Sequence, residues 1–244
     1  MSDLINLRRA EFNCVKHYFR AGIHVLELGG GNGFQASLLD SLGAKVTSID
    51  VAVPVGQQTF FAVKIYDGLT MPFSDATFDV VFSSNVLEHV QDINVMVAEI
   101  SRVLKADGIA IHILPTPAWR FWTSLTHYPY LAMRVLGLRR HVSGGNVPSL
   151  GEKMRRSGLW ATVKRVLVAG PHGEYPSALS ELWYFSKARW LELFRKNGFQ
   201  LIRISPSGIF YTGYSVFSGL SVSVRQNLAK ILGSSTYIYV LRKN

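Results

Sequence analysis

The sequence predicts an α/β fold in which helices cover both faces of a mostly parallel β-sheet. Three observations lead to this prediction. A short apolar run ends in a cluster of glycines at 29–31, further apolar stretches of strand length recur along the chain, and segments with helical apolar spacing separate them. Alternation of this kind is typical of three-layer α/β proteins.

The first unit of the fold is predicted between residues 4 and 50. Residues 4–20 have the spacing of an amphipathic helix, and residues 23–28 form a short apolar run that suits a buried parallel strand. After the glycine cluster, a helix is predicted over 34–42 and a second strand over 45–50. The unit is therefore a strand, a tight glycine turn, a helix and a strand.

Three further strands are predicted over 60–66, 78–84 and 109–114. The last two are separated by a helix whose apolar face is formed by Ile93, Val97, Ile100 and Leu104. Between strands two and three, Pro54 and Gly56 interrupt the pattern. The connecting helix is therefore predicted to be short or absent there.

The regular pattern breaks at Pro115 and resumes near residue 186. Prolines, aromatic residues and a turn cluster at 143–146 occupy the interval, which we interpret as an inserted lid region on the substrate side, residues 115–185. Beyond it, helices are predicted over 187–197 and 217–232, and strands over 199–204 and 236–241. We thus expect one domain, residues 1–244, with its core at about 20–114 and 186–244.

Most of the positive charge lies in this insertion. Between residues 108 and 173 there are nine Lys or Arg residues and a single acidic residue, Glu152, in a chain whose net charge is +10. The nine are Arg120, Arg134, Arg139, Arg140, Lys153, Arg155, Arg156, Lys164 and Arg165. Such a region could contact a membrane surface, an anionic substrate or nucleic acid.

Other features narrow the class of protein. Cys14 is the only cysteine, which excludes an internal disulfide and a cysteine-built metal site and fits a reducing compartment. The seven histidines show no metal-like spacing, and no metal is predicted. With no apolar run of signal-peptide or membrane-spanning length, the expected location is cytoplasmic, with possible peripheral membrane contact.

The glycine cluster indicates a cofactor site. Glycines after a buried strand allow close backbone approach to a ligand, and the following helix directs its partly positive N-terminus at an anionic group. Asp50 lies 21 residues after Gly29, which suits hydrogen bonding to ribose hydroxyls. The dinucleotide pattern G-x-G-x-x-G would need a glycine at position 34, where Phe34 stands. A nucleoside-bearing cofactor other than a dinucleotide is therefore favoured, and a nicotinamide dehydrogenase is disfavoured.

The motif present, Glu27-x-Gly29-x-Gly31-x-Gly33, resembles the first motif of class I S-adenosylmethionine-dependent methyltransferases, in the broad type 11 group. Residues 67–73 resemble the family segment D-x-x-x-L-P-F, residues 78–90 its fourth strand and following loop, and residues 102–108 its turn before strand five. The resemblance covers about 20–114 well, 186–205 and the last strand more loosely, and not the insertion. It implies a Rossmann-like sheet with strand order 3-2-1-4-5-7-6 and an antiparallel last strand.

The resemblance also implies the cofactor and its contacts. The cofactor is S-adenosyl-L-methionine, whose methionine end would face the glycine turn, with Asp50 at the ribose and Asp67 at the adenine. The cofactor-binding residues expected on this basis are Glu27, Gly29, Gly30, Gly31, Gly33, Asp50, Asp67, Gly68 and Ser84. The Glu88-His89 pair matches the family motif as well, and there a structural role is expected.

The remaining chemistry is predicted from the residues. Methyl transfer from a sulfonium needs an aligned nucleophile and, for a hydroxyl acceptor, removal of a proton. His172, in a Pro-His-Gly turn just before the core resumes, is the candidate general base because such a loop can lie over a pocket.

The acceptor stays open at this level. We expect a small-molecule, glycan or lipid-linked anionic substrate, with peripheral membrane contact through 116–165. Methylation at oxygen is favoured, and methylation at nitrogen or carbon stays open. An RNA methyltransferase is an alternative that only the charge favours, because no recognisable RNA-binding module accompanies it. A non-catalytic S-adenosylmethionine-binding module is the second alternative. The sequence does not indicate an oligomeric state.

Overall fold

The computed structural model describes residues 2–135 and 170–244, and within them a seven-stranded sheet forms the centre of the protein. Its strands are β1 (His24–Leu28), β2 (Lys45–Asp50), β3 (Val63–Ile65), β4 (Phe78–Ser84), β5 (Leu104–Pro115), β6 (Phe199–Pro206) and β7 (Thr236–Lys243). The helices are α1 (Ser2–Val15), α2 (Phe34–Ser41), α3 (Ile93–Val103), α4 (Pro117–Val135), α5 (Ala178–Tyr184), α6 (Lys187–Lys196) and α7 (Val222–Leu232).

The strand order is β3-β2-β1-β4-β5-β7-β6, as the family resemblance implies. Strands β1 to β5 pair in parallel, whereas β7 lies between β5 and β6 and runs antiparallel to both. The carboxyl ends of β1, β2 and β4 therefore meet at one edge of the sheet. A ligand site is expected there, because loops leaving neighbouring parallel strands open into a crevice.

Two apolar layers fix the helices on opposite faces of this sheet. On one face, α3 and α6 bury Ile100 and Phe194 in a cluster that also contains Leu26 of β1. The Phe194 ring stacks on His112 of β5. On the other face, α1 and α2 contribute Phe12 and Leu39 to a second cluster. Neighbouring residues along each strand point to opposite faces, which is the pattern of a sheet buried on both sides. The three-layer α/β prediction is confirmed.

The predicted elements differ from the structure in five places. Strand β5 begins five residues earlier than expected, strand β3 spans only Val63–Ile65, and α7 begins at Val222 after a short 3-10 helix, Ser215–Phe217. No helix occurs among the described residues between β2 and β3, as the interrupted pattern predicts.

The other two differences are α4, a 19-residue helix at the start of the predicted insertion, and the 7-residue α5 near its end, because no regular element was expected in the insertion. Pro117 begins α4, a position that tolerates proline because its missing N–H would have no helical partner. Trp119 is buried in a cluster with Phe185 and Ile209. The beginning of the insertion is thus packed onto the core.

Seven of the nine basic residues of the insertion, from Arg139 to Arg165, lie outside the described residues. Across residues 2–135 and 170–244, no helix has the length and apolar character needed to span a bilayer.

Candidate active site

A cavity of about 480 Å³ opens at the carboxyl ends of β1, β2 and β4. This volume lies within the range of about 300–1,000 Å³ that is usual for ligand pockets. Four segments form its wall, namely the glycine turn, the end of β2, the 66–69 turn and the loop after β4. The lining residues are Leu28, Gly29, Asp50, Val51, Tyr66, Asp67, Gly68, Leu69, Ser84, Asn85, Val86, His89, Val90, Gln91, Asp92 and Met96.

The glycine turn can adopt its course only without side chains. Gly29 has a φ of +77°, and an added Cβ would collide with Cγ2 of Val86 across the turn. Gly33, at the start of α2, has a φ of +79°, and an added Cβ would lie 2.6 Å from the backbone nitrogen of Phe61. Gly31 also has positive φ, but the space around it is open. The turn is therefore closely packed against the Val86 side chain at Gly29 and against the Phe61 backbone at Gly33, and it leaves room at Gly31.

Asp50 connects the end of β2 to this turn. Its Oδ2 accepts a hydrogen bond of 2.8 Å from the backbone N–H of Gly31, and its Oδ1 accepts one of 2.7 Å from the N–H of Val51. A carboxylate oxygen can accept a second hydrogen bond. Oδ1 already accepts a second, longer one of 3.4 Å from the N–H of Ala52. Asp50 therefore holds the turn and has capacity for one further donor at Oδ2.

Asp67 lies beside the end of β2, in a turn that follows β3. Its Oδ1 accepts hydrogen bonds from the backbone N–H groups of Leu69 and Thr70, at 2.8 and 2.9 Å, and these lower the pKa of the exposed carboxyl. Gly68 has a φ of +79° and approaches the side chain of Val51. The turn thus presents an ionised acid at the rim of the cavity.

Glu27 lies beneath the turn and does not line the cavity. It is 2% exposed and accepts a hydrogen bond of 2.5 Å from the hydroxyl of Ser48 on the neighbouring strand. Burial raises the pKa of Glu27 to about 7. A Cβ on Gly30 would lie 3.0 Å from this carboxyl, so Gly30 is needed for the close approach. In this structure Glu27 supports the turn from below.

Of the predicted cofactor residues, the structure brings Gly29, Asp50, Asp67, Gly68 and Ser84 to the cavity wall. The backbones of Gly30, Gly31 and Gly33 form the turn behind them. The sequence did not single out Asn85, which has a φ of +55° and donates from Nδ2 to the hydroxyl of Ser84 at 3.2 Å. The sequence could have indicated Asn85 as a cavity residue, because the loop that resembles the family motif includes both Asn85 and His89.

His172 does not line the cavity, but it contacts His89, which does. The His172 ring contacts the His89 ring, with centroids 4.7 Å apart, and the indole of Trp119 at 4.6 Å. Burial lowers the pKa of His89, and burial together with nearby His89, Arg120 and Arg8 lowers the pKa of His172 to about 4. Both imidazoles are therefore neutral at pH 7.

Glu181 anchors the loop that carries His172. Its Oε1 accepts hydrogen bonds from the backbone N–H groups of His172 and Gly173, at 2.6 and 2.7 Å. Its Oε2 lies 3.2 Å from Nε of Arg120, and both side chains are almost fully buried. A Cβ on Gly173 would collide with the carbonyl oxygen of Glu88, so the loop lies directly on the segment after β4.

The floor beneath the two histidines contains a buried acid, Glu88. It is 0% exposed, and neither carboxylate oxygen has a hydrogen-bond partner in the described part of the chain. Burial raises the pKa of Glu88 to about 8. The ligand-type atoms of Glu88, His89 and His172 all lie within 4.8 Å of one another. The spacing of these residues in the sequence did not predict this cluster.

A glycine turn, two acids and a helix N-terminus around one cavity define a Rossmann-like domain that binds a nucleoside cofactor. Comparison with known proteins identifies the class of this domain and its cofactor. Residues 26–112 match the family model described as Methyltransferase domain. This match identifies residues 26–112 as part of a class I S-adenosylmethionine-dependent methyltransferase domain, a domain whose cofactor is S-adenosylmethionine.

Relatives agree with this assignment. An uncharacterized methyltransferase from Mycobacterium sp. (strain KMS) is 34% identical over 116 residues, 44% of this chain and 46% of the relative. A ubiquinone biosynthesis O-methyltransferase from Bartonella bacilliformis is 25% identical over 115 residues, 42% of this chain and 45% of the relative. The match thus spans about half the length of these curated relatives.

The fold has a similar counterpart among solved structures. A putative S-adenosylmethionine-dependent methyltransferase from Listeria monocytogenes superposes with a TM-score of 0.57 and 14% sequence identity. The superposition covers 98% of this chain and 99% of that one. At this level of identity, the similarity concerns the fold alone.

Proposed function

We propose that the protein transfers a methyl group from S-adenosylmethionine to an oxygen of a small-molecule, glycan or lipid-linked acceptor. The observation that supports this most is the cavity, which has the glycine turn and Asp50 at one side and His89 at another. Bound S-adenosylmethionine supplies a methyl group on a sulfonium, which an aligned nucleophile can displace. The chain has to bind the cofactor, orient the acceptor and handle its proton.

Cofactor binding is assigned to the residues around the turn. The free capacity of Asp50 Oδ2 suits a ribose hydroxyl, and the ionised Asp67 suits an amino or hydroxyl donor at the rim of the cavity. The carboxylate end of the cofactor would lie toward the glycine turn and the N-terminus of α2. The donors and acceptors present therefore fit this cofactor.

His172 is the candidate for handling the proton of the acceptor. Its imidazole is neutral, so a ring nitrogen can receive a proton, and its loop is held in place by Glu181. Its low pKa makes it a weak base at neutral pH, which suits an acceptor whose hydroxyl is already acidic or is made so by another group.

An apolar surface on α4 favours a lipid-linked or otherwise apolar acceptor. Phe121, Leu125 and Tyr128 are each at least half exposed and follow one another at helical spacing on a single face. Aromatic and aliphatic side chains of this kind suit contact with a membrane interface. Peripheral membrane contact through residues 116–165 is part of this proposal.

Two measurements test the proposal. Calorimetry with S-adenosylhomocysteine should give binding that falls by about 10- to 100-fold in Asp50→Asn, since hydrogen bonds to charged groups contribute about 1.5–3 kcal/mol. Asp40→Asn, an exposed acid on α2, is the matched control and should bind normally. Absence of binding to the unaltered protein would contradict the cofactor assignment.

The second measurement follows methyl label from S-adenosylmethionine into lipid, small-molecule and RNA fractions. Label in the lipid or small-molecule fraction is expected, and His172→Ala should slow its appearance without altering S-adenosylhomocysteine affinity. Label in RNA would favour the RNA methyltransferase alternative. Cofactor binding without transfer to any fraction would favour a non-catalytic binding module.

A further inference from the structure

The cluster of Glu88, His89 and His172 offers a set of ligands for a metal ion. Two imidazoles and a carboxylate are the donor set of many three-ligand sites for zinc and related divalent cations. His89 and His172 are 83 positions apart and belong to different loops, so only the fold brings them together. The distance between Glu88 Oε1 and His89 Nε2 is 4.0 Å, and all three ligand atoms lie within 4.8 Å of one another.

These distances are close to those of a formed site. Tetrahedral coordination with bonds of about 2.1 Å separates ligand atoms by about 3.4 Å. The three atoms would have to approach one another by about an ångström, given metal–ligand bonds of that length. Rotation of the two histidine side chains can supply this movement, because both are partly exposed.

The buried carboxylate is the second reason to expect a ligand. Glu88 is fully buried, and neither oxygen has a hydrogen-bond partner among the described residues. Buried acids normally have partners, because leaving such a group unpaired costs free energy. A cation bound between the two rings would provide the missing partner.

The nearby cationic side chains do not fill this role. Arg8 lies close enough to Glu88 to influence it, but its guanidinium is paired with Glu11 at 2.7 Å. Arg120 faces His172 and is paired with Glu181 at 3.2 Å. Each arginine is thus paired with a carboxylate other than Glu88, so neither provides the partner of Glu88.

We propose that Glu88, His89 and His172 bind one divalent transition-metal cation, with Zn²⁺ as the representative ion. Three protein ligands leave a coordination position open, and His89 faces the cofactor cavity. A hydroxyl acceptor could occupy that position. The cation would stabilise the acceptor as its oxyanion, with the hydroxyl proton released to solvent. The oxyanion would then form a bond to the methyl carbon as the C–S bond of the sulfonium breaks, with S-adenosylhomocysteine as the leaving group.

This inference deepens the proposed function and rests on it only for the role in transfer. His172 then assists loss of the acceptor proton through the cation instead of accepting the proton itself. Cation binding can be measured without cofactor or acceptor, so the two proposals can fail separately.

The test uses the full-length protein after treatment with EDTA and removal of the chelator. Zn²⁺ is titrated in competition with a chromogenic chelator. One tightly bound ion per chain is expected, together with an increase in the thermal unfolding temperature. Glu88→Gln and His172→Ala should each weaken zinc binding by more than about 10-fold. Losing a residue that only hydrogen-bonds to a metal ligand already costs about 10-fold in affinity, and losing a ligand should cost more.

His17→Ala is the matched control. His17 is exposed and lies three residues from Cys14, so this pair could bind zinc adventitiously. Unaltered zinc binding in His17→Ala, with loss in Glu88→Gln, supports the proposed site, whereas the reverse result overturns it. Thermal unfolding in EDTA separates loss of binding from loss of folding, and Glu88→Gln should unfold no earlier than the unaltered protein there.

Zinc binding that is absent, or equal in all variants, also overturns the inference. If S-adenosylhomocysteine still binds in that case, and His172→Ala still slows transfer in EDTA, the proposed function stands and His172 acts on the proton directly. If S-adenosylhomocysteine does not bind, the proposed function fails independently of the metal.

Discussion

Replacing Gly29 by alanine tests how the glycine turn is held against the loop after β4. The φ of +77° is unfavourable for alanine, which adds about 1–2 kcal/mol of strain. The new Cβ would also overlap Cγ2 of Val86, and overpacking of this kind costs about 1–3 kcal/mol. The free energy of unfolding should therefore fall by about 2–5 kcal/mol, the sum of the two costs.

Gly31 provides the matched control, because its φ is also positive but nothing lies within 4 Å of an added Cβ. Gly31→Ala should lose only the strain, about 1–2 kcal/mol. The double variant Gly29→Ala with Val86→Ala should recover the overpacking cost relative to Val86→Ala alone, which a double-mutant cycle isolates. The assay is urea unfolding of all variants, with S-adenosylhomocysteine binding as the functional readout. Equal losses for the two glycine variants, or no coupling between Gly29 and Val86, would refute the reasoning.

Two other perturbations address buried acids. The raised pKa of Glu27 favours its protonated form in the folded protein, so its contribution to stability is complete below about pH 4.5 and is lost as the pH rises to about 7. Glu27→Gln should remove about 3 kcal/mol of this pH dependence, measured as the difference in unfolding free energy from the unaltered protein between pH 5 and 8; parallel curves would contradict it. Glu181→Ala leaves Arg120 buried without its carboxylate and should cost about 3–5 kcal/mol. Glu181→Gln with Arg120→Met keeps an acceptor for the His172 and Gly173 N–H groups and should cost much less. Similar losses in urea unfolding for the single and double variants would argue against an ion pair at this position.

The elements around the cofactor cavity could be predicted because their signals are local. Strand β1, the glycine turn and Asp50 fall within 27 residues, and the apolar pattern there has no competing interpretation. The antiparallel placement of β7 followed from the family resemblance, since spacing alone cannot give the order of strands in a sheet.

Other features depend on contacts between distant residues. Pro117 and Pro129 suggested irregular chain, yet the buried face of α4 outweighs the cost of Pro129 inside the helix. The position of Glu27 beneath the turn depends on Ser48 of the next strand. The meeting of Glu88 with His172 depends on Gly173 lying on the Glu88 carbonyl, which no pattern within either segment reveals.

The position of β7 has a consequence for the order in which the sheet can form during synthesis. Strand β6 is made before β7, but its ladder partner is β7 alone among the described strands, and β7 also pairs with β5 along most of its length. One edge of β5 and the whole of β6 therefore stay unpaired until β7, which has 8 residues, emerges from the ribosome. Such late pairing between distant segments slows folding and exposes strand edges in the meantime. A ribosome-stalled chain lacking β7 should be far more sensitive to protease in β6 than in β1.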